Sequence, residues 1–195
     1  MSMVSLTIDG KKVKVPAGTT LLEAAKEANI HIPTLCYLPE VQAIGACRVC
    51  LVEVEGNRSL QASCVFPAGE GLVVHTNSRK AQQARKFTVE MLLSAHPQDC
   101  LICVKNRKCE LQKLSEELGI REIRFPGEKP KGRIDDSNPS VVRDSSKCIL
   151  CRRCVTVCQE IQQVGALSAQ ERGFDTYIGP AFGDEMGEVA CVLCG

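Results

Sequence analysis

The chain has 195 residues, enough for one large domain or about two to three small ones. Its net charge is only +1, which gives no global reason to expect nucleic acid or a membrane surface as partner. Thirteen cysteines against 4% aromatics and no tryptophan favour several small cores tied together by metal over one large apolar core.

Residues 1–78 read as a small mixed domain. Val4 to Ile8 alternates, Asp9-Gly10 is a hairpin turn, and Lys11 to Val15 alternates again. Thr20 caps a helix predicted over residues 21–28, with Leu21, Leu22, Ala25 and Ala28 on one face. A long loop then holds Cys36, Cys47 and Cys50. Strands are expected over Leu51 to Val54 and Leu60 to Val65, around a Gly56-Asn57 turn, and over Leu72 to His75. This order suggests a β-grasp-like sheet curled around one helix.

Residues 79–119 are expected to be mainly helical. Ala84, Phe87, Met91 and Ala95 recur at helical spacing, and a second helix over Glu110 to Leu118 ends at Gly119. Residues 120–140, and above all 125–140 with their Pro, Gly, Lys and Asp, read as an exposed linker. Residues 141–195 carry the last six cysteines on turns, with short helices expected after Cys154 and before Cys191. No apolar stretch is long enough to span a bilayer, and Met1 to Gly10 holds no signal-peptide core. The expected location is therefore the cytoplasm, where cysteines stay reduced or bind metal. A disulfide scaffold would also leave one of thirteen thiols over.

The cysteines fall into four sets. Cys36, Cys47, Cys50 and Cys64 have the spacing C-x10-C-x2-C-x13-C. A C-x2-C pair on a tight loop puts two thiolates on one side of a metal group, and two distant cysteines close the other. Four thiolates suit a binuclear [2Fe-2S] cluster, and equally a four-cysteine zinc site. His96, Cys100, Cys103 and Cys109 form H-x3-C-x2-C-x5-C. Three thiolates and one imidazole can hold the corners of a [4Fe-4S] cubane, or a single zinc. His31 and His75 lack such neighbours and read as ordinary surface or core residues. Cys148, Cys151, Cys154 and Cys158 form C-x2-C-x2-C-x3-C, the bacterial ferredoxin run, although Gln159 stands where a proline usually follows. Its first three cysteines wrap one cubane, while Cys158 is expected to serve another with Cys191 and Cys194. Arg48, Lys105, Arg107, Lys108, Arg152 and Arg153 lie beside these ligands. There they either raise cluster potentials or are solvated surface charges.

The hairpin, helix and cysteine loop resemble plant-type ferredoxins, with a first gap of ten residues where that type has four. The longer gap, the string HPQDCLIC followed by Cys109-Glu110-Leu111-Gln112, and the ferredoxin run together resemble a wider family. It comprises the N-terminal iron–sulfur region of the complex I large subunit (NADH dehydrogenase 75 kDa-like), iron-only hydrogenases and NAD-linked formate dehydrogenases. The segment from Arg172 to Gly183 and the second run resemble the hydrogenase and formate dehydrogenase branches more than complex I. The resemblance implies an α+β chain: a [2Fe-2S] domain at 1–78, a His(Cys)3-ligated [4Fe-4S] domain at 79–119, and a two-cubane ferredoxin-like domain at 141–195. Up to three [4Fe-4S] clusters are expected.

Four clusters need sixteen ligands, while thirteen cysteines and His96 give fourteen, so the chain is expected to be a fragment whose second run continues. The resemblance implies an electron relay within a multi-subunit oxidoreductase, fed by a flavin/NAD-binding subunit or a ferredoxin. Hydrogen or formate would be the substrate, with a quinone-reducing complex as the alternative. The chain holds no nucleophile–base set, dinucleotide loop or P-loop, so no catalytic residue is assigned. A zinc-binding structural or interaction protein is the competing class.

Overall fold

The computed structural model describes residues 2–129 and 132–195. The chain divides into two compact units. One comprises residues up to Tyr37, Ala43–Val89 and Leu114–Ile120; the other comprises Leu38–Gln42, Glu90–Lys113 and the described part of Arg121–Gly195.

The first unit is built on a five-stranded sheet of order β2-β1-β5-β3-β4. Strands β1 (Met3–Ile8) and β2 (Lys11–Pro16) form an antiparallel hairpin with Leu6 opposite Val13 and Val4 opposite Val15. Asp9 and Gly10 both take positive φ, 48° and 80°, the twist that a two-residue hairpin requires. Alternation puts Leu6, Ile8, Val13 and Val15 inside, while Lys12 and Lys14 point to solvent. Strand β5 (Val73–His75) lies parallel to β1 and antiparallel to β3 (Leu51–Val54), and β4 (Gln61–Ala62) closes the far edge.

Helix α1 (Leu21–Glu27) contributes Leu21, Leu22, Ala24 and Ala25 to the same core. Its start is a capping box. The Glu23 amide donates to Thr20 Oγ1 at 3.3 Å, and the Thr20 amide donates to Glu23 Oε2 at 3.0 Å. Thr20→Ala should therefore cost about 1 kcal/mol of stability, measurable by chemical denaturation of the loaded protein.

Helix α2 (Arg79–Ser94) follows. Its buried face in the first unit is Ala81, Arg85 and Val89, not the stripe through Ala84 and Phe87, and Phe87 is 47% exposed. The strand expected over residues 60–65 shortens to β4. After it the chain turns, with the Val65 and Phe66 amides both donating to the Ala62 carbonyl.

In the second unit, Glu90 is buried and accepts from Arg124 at 2.7 Å, which ties the end of α2 to the segment after α3 (Glu110–Glu117). The expected linker is folded at its C-terminal end. Strand β6 (Ile134–Asp135) pairs with β7 (Arg143–Asp144). The polar residues that read as a solvated linker are spent on turn hydrogen bonds. Asn138 Oδ1 accepts from the Ser140 and Val141 amides, and Asp135 accepts from Ser137 and from the Met186 amide. Gly187 approaches so closely that a Cβ would lie 2.7 Å from the Ser137 carbonyl oxygen.

Helix α4 (Arg153–Thr156) runs on through a π-helical turn over Val157–Ile161. Strands β8 (Ser168–Gln170) and β9 (Tyr177–Gly179) pair antiparallel. Before Cys191 the chain makes turns, not the expected short helix. No described helix is long and apolar enough to cross a membrane. The architecture is α+β, as the resemblance implied.

Candidate metal centres

Cys36, Cys47, Cys50 and Cys64 come together in the first unit, and each is at most 9% exposed. Their loop turns through left-handed residues, Gly45 at φ 62° and Arg48 at φ 56°. The Cys47 amide donates to Cys36 Sγ at 3.5 Å. Cys50 is held by its carbonyl, which accepts from the amide of Ser63 at 3.2 Å and from its hydroxyl at 2.9 Å. Ser63 is fully buried and immediately precedes Cys64, so these bonds join two predicted ligands.

The four thiols also shift one another's acidity. The Cys47 thiol holds Cys36 well below the ordinary thiol value, and the Cys64 thiol holds Cys50 down. The donors Cys47 and Cys64 are correspondingly pushed up, chiefly by bonding to Cys36. Loading a metal group displaces the thiol protons. Four converging, buried sulfurs fit a four-thiolate cluster.

In the second unit His96, Cys100, Cys103 and Cys109 line one cavity with Leu93, Lys105 and Gln112. His96 Nδ1 lies 2.7 Å from the Pro97 carbonyl oxygen. A proton on Nδ1 donates to that oxygen and leaves the Nε2 lone pair free for a metal. Arg107, at φ 63°, turns the chain between Cys103 and Cys109, and the Arg107 amide donates to Gln112 Oε1 at 2.8 Å.

The ferredoxin run turns through Leu150 at φ 55° and Arg152 at φ 59°. The Leu150 amide donates to Cys148 Sγ at 3.4 Å. Desolvation pushes the Cys154 thiol up, although the residue keeps some solvent access; Arg143 opposes this, and Cys148 and Cys151 add to it. Cys158, Cys191 and Cys194, grouped from the spacing, line a single cavity of about 410 Å³ together with Cys154, Arg143 and Arg153. Among the described residues, Arg153 Nε is buried without a hydrogen-bond partner, while its Nη1 pairs with Glu110 at 3.0 Å. A buried unsatisfied donor costs about 1–3 kcal/mol, so a group with anionic sulfurs in this cavity fits the residues around it. Leu193, at φ 51°, sits between Cys191 and Cys194 as Leu150 sits between Cys148 and Cys151. The second run thus repeats this left-handed turn of the first.

Among the described residues, no three His, Cys, Asp or Glu side chains meet at a point that one ion could occupy. A cubane takes one protein ligand per iron and a binuclear cluster two, so neither needs three at one point. Two contributors escaped the sequence reading. Arg143 lies five residues before the run, and Ser63 looks like ordinary strand filler. Only the cysteine that follows Ser63 hinted at a role.

A profile described as a 2Fe-2S iron-sulfur cluster binding domain matches residues 1–79. That of the NADH-ubiquinone oxidoreductase-G iron-sulfur binding region matches 85–124, and that of the NADH-quinone oxidoreductase subunit 3 ferredoxin-like domain matches 138–190. The solved NAD+-reducing [NiFe]-hydrogenase in its H2-reduced state contains a chain that is 34% identical with a TM-score of 0.88. The match covers 96% of this chain and 79% of that one.

The chain belongs to the iron–sulfur family shared by the complex I large subunit and the hydrogenases.

Within that family it is 47% identical over its whole length to the NADP-reducing hydrogenase subunit HndD of Solidesulfovibrio fructosivorans. It is 40% identical over 90% of its length to the mitochondrial NADH-ubiquinone oxidoreductase 78 kDa subunit of Neurospora crassa. It spans only 34% of the first and 24% of the second. The chain carries 2Fe-2S and 4Fe-4S binding domains. Both relatives are subunits of larger assemblies.

Proposed function

We propose that this chain relays single electrons to or from the catalytic centre of a hydrogenase-type oxidoreductase. Cys36, Cys47, Cys50 and Cys64 hold a [2Fe-2S] cluster. His96, Cys100, Cys103 and Cys109 hold a [4Fe-4S] cluster. Cys148, Cys151 and Cys154 supply three ligands to a second cubane, and Cys158, Cys191 and Cys194 supply three to another. The cluster-binding segments are 1–78, 79–119 and 141–195, with 120–140 between the last two.

The observation that carries this reading is shared by all four sets. Each contains a non-glycine residue in the left-handed region between ligands: Arg48, Arg107, Leu150 with Arg152, and Leu193. Such residues are uncommon and persist where the surroundings require them. Alternating right- and left-handed residues aim successive backbone N–H groups into one concavity, a cradle for anionic sulfur.

The clusters supply the one-electron carriers, and the protein's part is to hold, shield and tune them. The thiolates and His96 fix position, and the Cys47 and Leu150 amides donate to ligand sulfur. The redox partner is a flavin/NAD-binding subunit or a ferredoxin, in the cytoplasm. The 47% identity to a hydrogenase subunit and the likeness of Arg172 to Gly183 favour hydrogen, or formate, as the substrate of the assembly. An NADH:quinone oxidoreductase is the second reading, favoured by the 40% identity to an NADH-ubiquinone oxidoreductase 78 kDa subunit.

Anaerobically reconstituted protein should contain iron and acid-labile sulfide. After reduction it should show one binuclear and at least one cubane signal by electron paramagnetic resonance. Zinc with no labile sulfide would defeat the proposal in favour of a structural metal protein.

A further inference from the structure

Helix α2 carries an arginine into the interior of the first unit. Arg85 is 5% exposed, and among the described residues its four hydrogen bonds all go to neutral oxygens. Nε donates to the Val49 carbonyl at 3.1 Å. Nη2 donates to Leu51 at 3.4 Å and Thr76 at 3.1 Å, and Nη1 donates to Asn77 Oδ1 at 3.4 Å. Val49 and Leu51 are the residues on either side of Cys50. Ser63 holds the Cys50 carbonyl between them. Three successive carbonyls around one thiol are thus fixed, two of them by a single guanidinium.

A clamp of this kind needs donors but no charge. Arginine nevertheless stays protonated in proteins, and a buried cation bonded only to neutral groups is disfavoured. Its natural counter-charge is the sulfur set itself. A binuclear cluster on four thiolates is a net anion, and each electron it accepts deepens that charge with no proton required. A fixed cation beside it stabilises the reduced form more than the oxidised one. Desolvation draws the guanidinium pKa down, and the field of the Cys50 thiolate opposes this.

We infer that Arg85 is the positioning and potential-setting residue of the Cys36, Cys47, Cys50 and Cys64 site. Its guanidinium is the buried counter-charge of the cluster and the clamp on Cys50. The inference rests on the reading of this set as the binuclear site.

The test uses the full chain, reconstituted anaerobically, as wild type, Arg85→Gln and Arg85→Lys. Iron and sulfide are counted, and the binuclear signal is titrated potentiometrically with the cubane signals as internal reference. Arg85→Gln should load its binuclear cluster with a midpoint more negative than wild type while the cubanes stay put. Arg85→Lys should recover most of the shift. A wild-type midpoint in Arg85→Gln would overturn the inference. So would equal shifts in both variants, which would mean geometry and not charge. Should Arg85→Gln fail to load, Asn77→Asp decides. This same-size change gives Arg85 a competing carboxylate, and an unchanged midpoint there would overturn the inference. A wild-type protein with no binuclear signal would instead remove the site assignment itself.

Discussion

Replacing Cys50 with alanine should abolish the binuclear signal and remove about two irons per chain, while the cubane signals persist. Cys50 is the most constrained of the predicted ligands. It is 1% exposed, its own carbonyl is bonded twice by Ser63, and the carbonyls before and after it are bonded by Arg85. No other thiol among the described residues of the first unit can replace it, because Cys36, Cys47 and Cys64 are already members of the set. The thiol also packs in the core with Val52, Ala62 and Cys64, so its loss leaves a small void as well as an open coordination position. A group that binds only the folded state stabilises it by mass action. The thermal midpoint of the loaded protein should therefore fall far more than that of the metal-free protein when variant and wild type are compared. Equal falls in the two forms would mean that Cys50 only packs. Retention of a full binuclear signal would remove it from the ligand set.

Much of this architecture was legible because its signals are local. Alternation over Val4 to Ile8 and Lys11 to Val15, the Asp9-Gly10 turn and the Thr20–Glu23 cap each sit within a few residues of the structure they produce. The grouping of His96, Cys100, Cys103 and Cys109 around one cavity was legible because a turn imposes short fixed spacings. What stayed hidden depends on partners far along the chain. The buried stripe of α2 runs Ala81, Arg85, Val89, and a charged residue at its centre breaks the apolar pattern that a sequence reading follows. Ala84 and Phe87 offered a more apolar series on a face that the fold leaves largely open.

The segment over Leu60 to Val65 has strand composition. Yet only Gln61 and Ala62 pair, because Ser63 must turn back to Cys50 and present Cys64 to the site. Site geometry overrode local propensity there. The residues before β7 misled in the opposite sense. Asp, Asn and Ser read as solvated, but Asp135 and Asn138 are buried at 9% and 7% and organise the turn from within.

His96→Cys should keep the cubane and lower its potential, and His96→Ala should lose it or leave it prone to lose one iron. The three cysteines of this set stand with His96 around one cavity, so a thiolate at position 96 reaches the same region from the same backbone. The difference is charge. With Nδ1 donating to the Pro97 carbonyl at 2.7 Å, the imidazole presents Nε2 as a neutral donor. A thiolate adds one negative charge to the ligand set, and an added anion beside a cluster penalises the extra electron of the reduced form. Histidine for cysteine raises potentials in binuclear centres, and the reverse exchange should lower this one. The Pro97 carbonyl belongs to the backbone, so no substitution removes this bond while leaving the imidazole in place, and the ligand itself is the variable to change. Potentiometric titration of the cubane signals, with the binuclear signal as reference, reads the shift. A His96→Cys protein whose cubane midpoints match those of wild type would mean that the imidazole only lines the cavity. The iron would then have to take its fourth ligand from elsewhere, and Asp99 is a carboxylate that lines the same cavity.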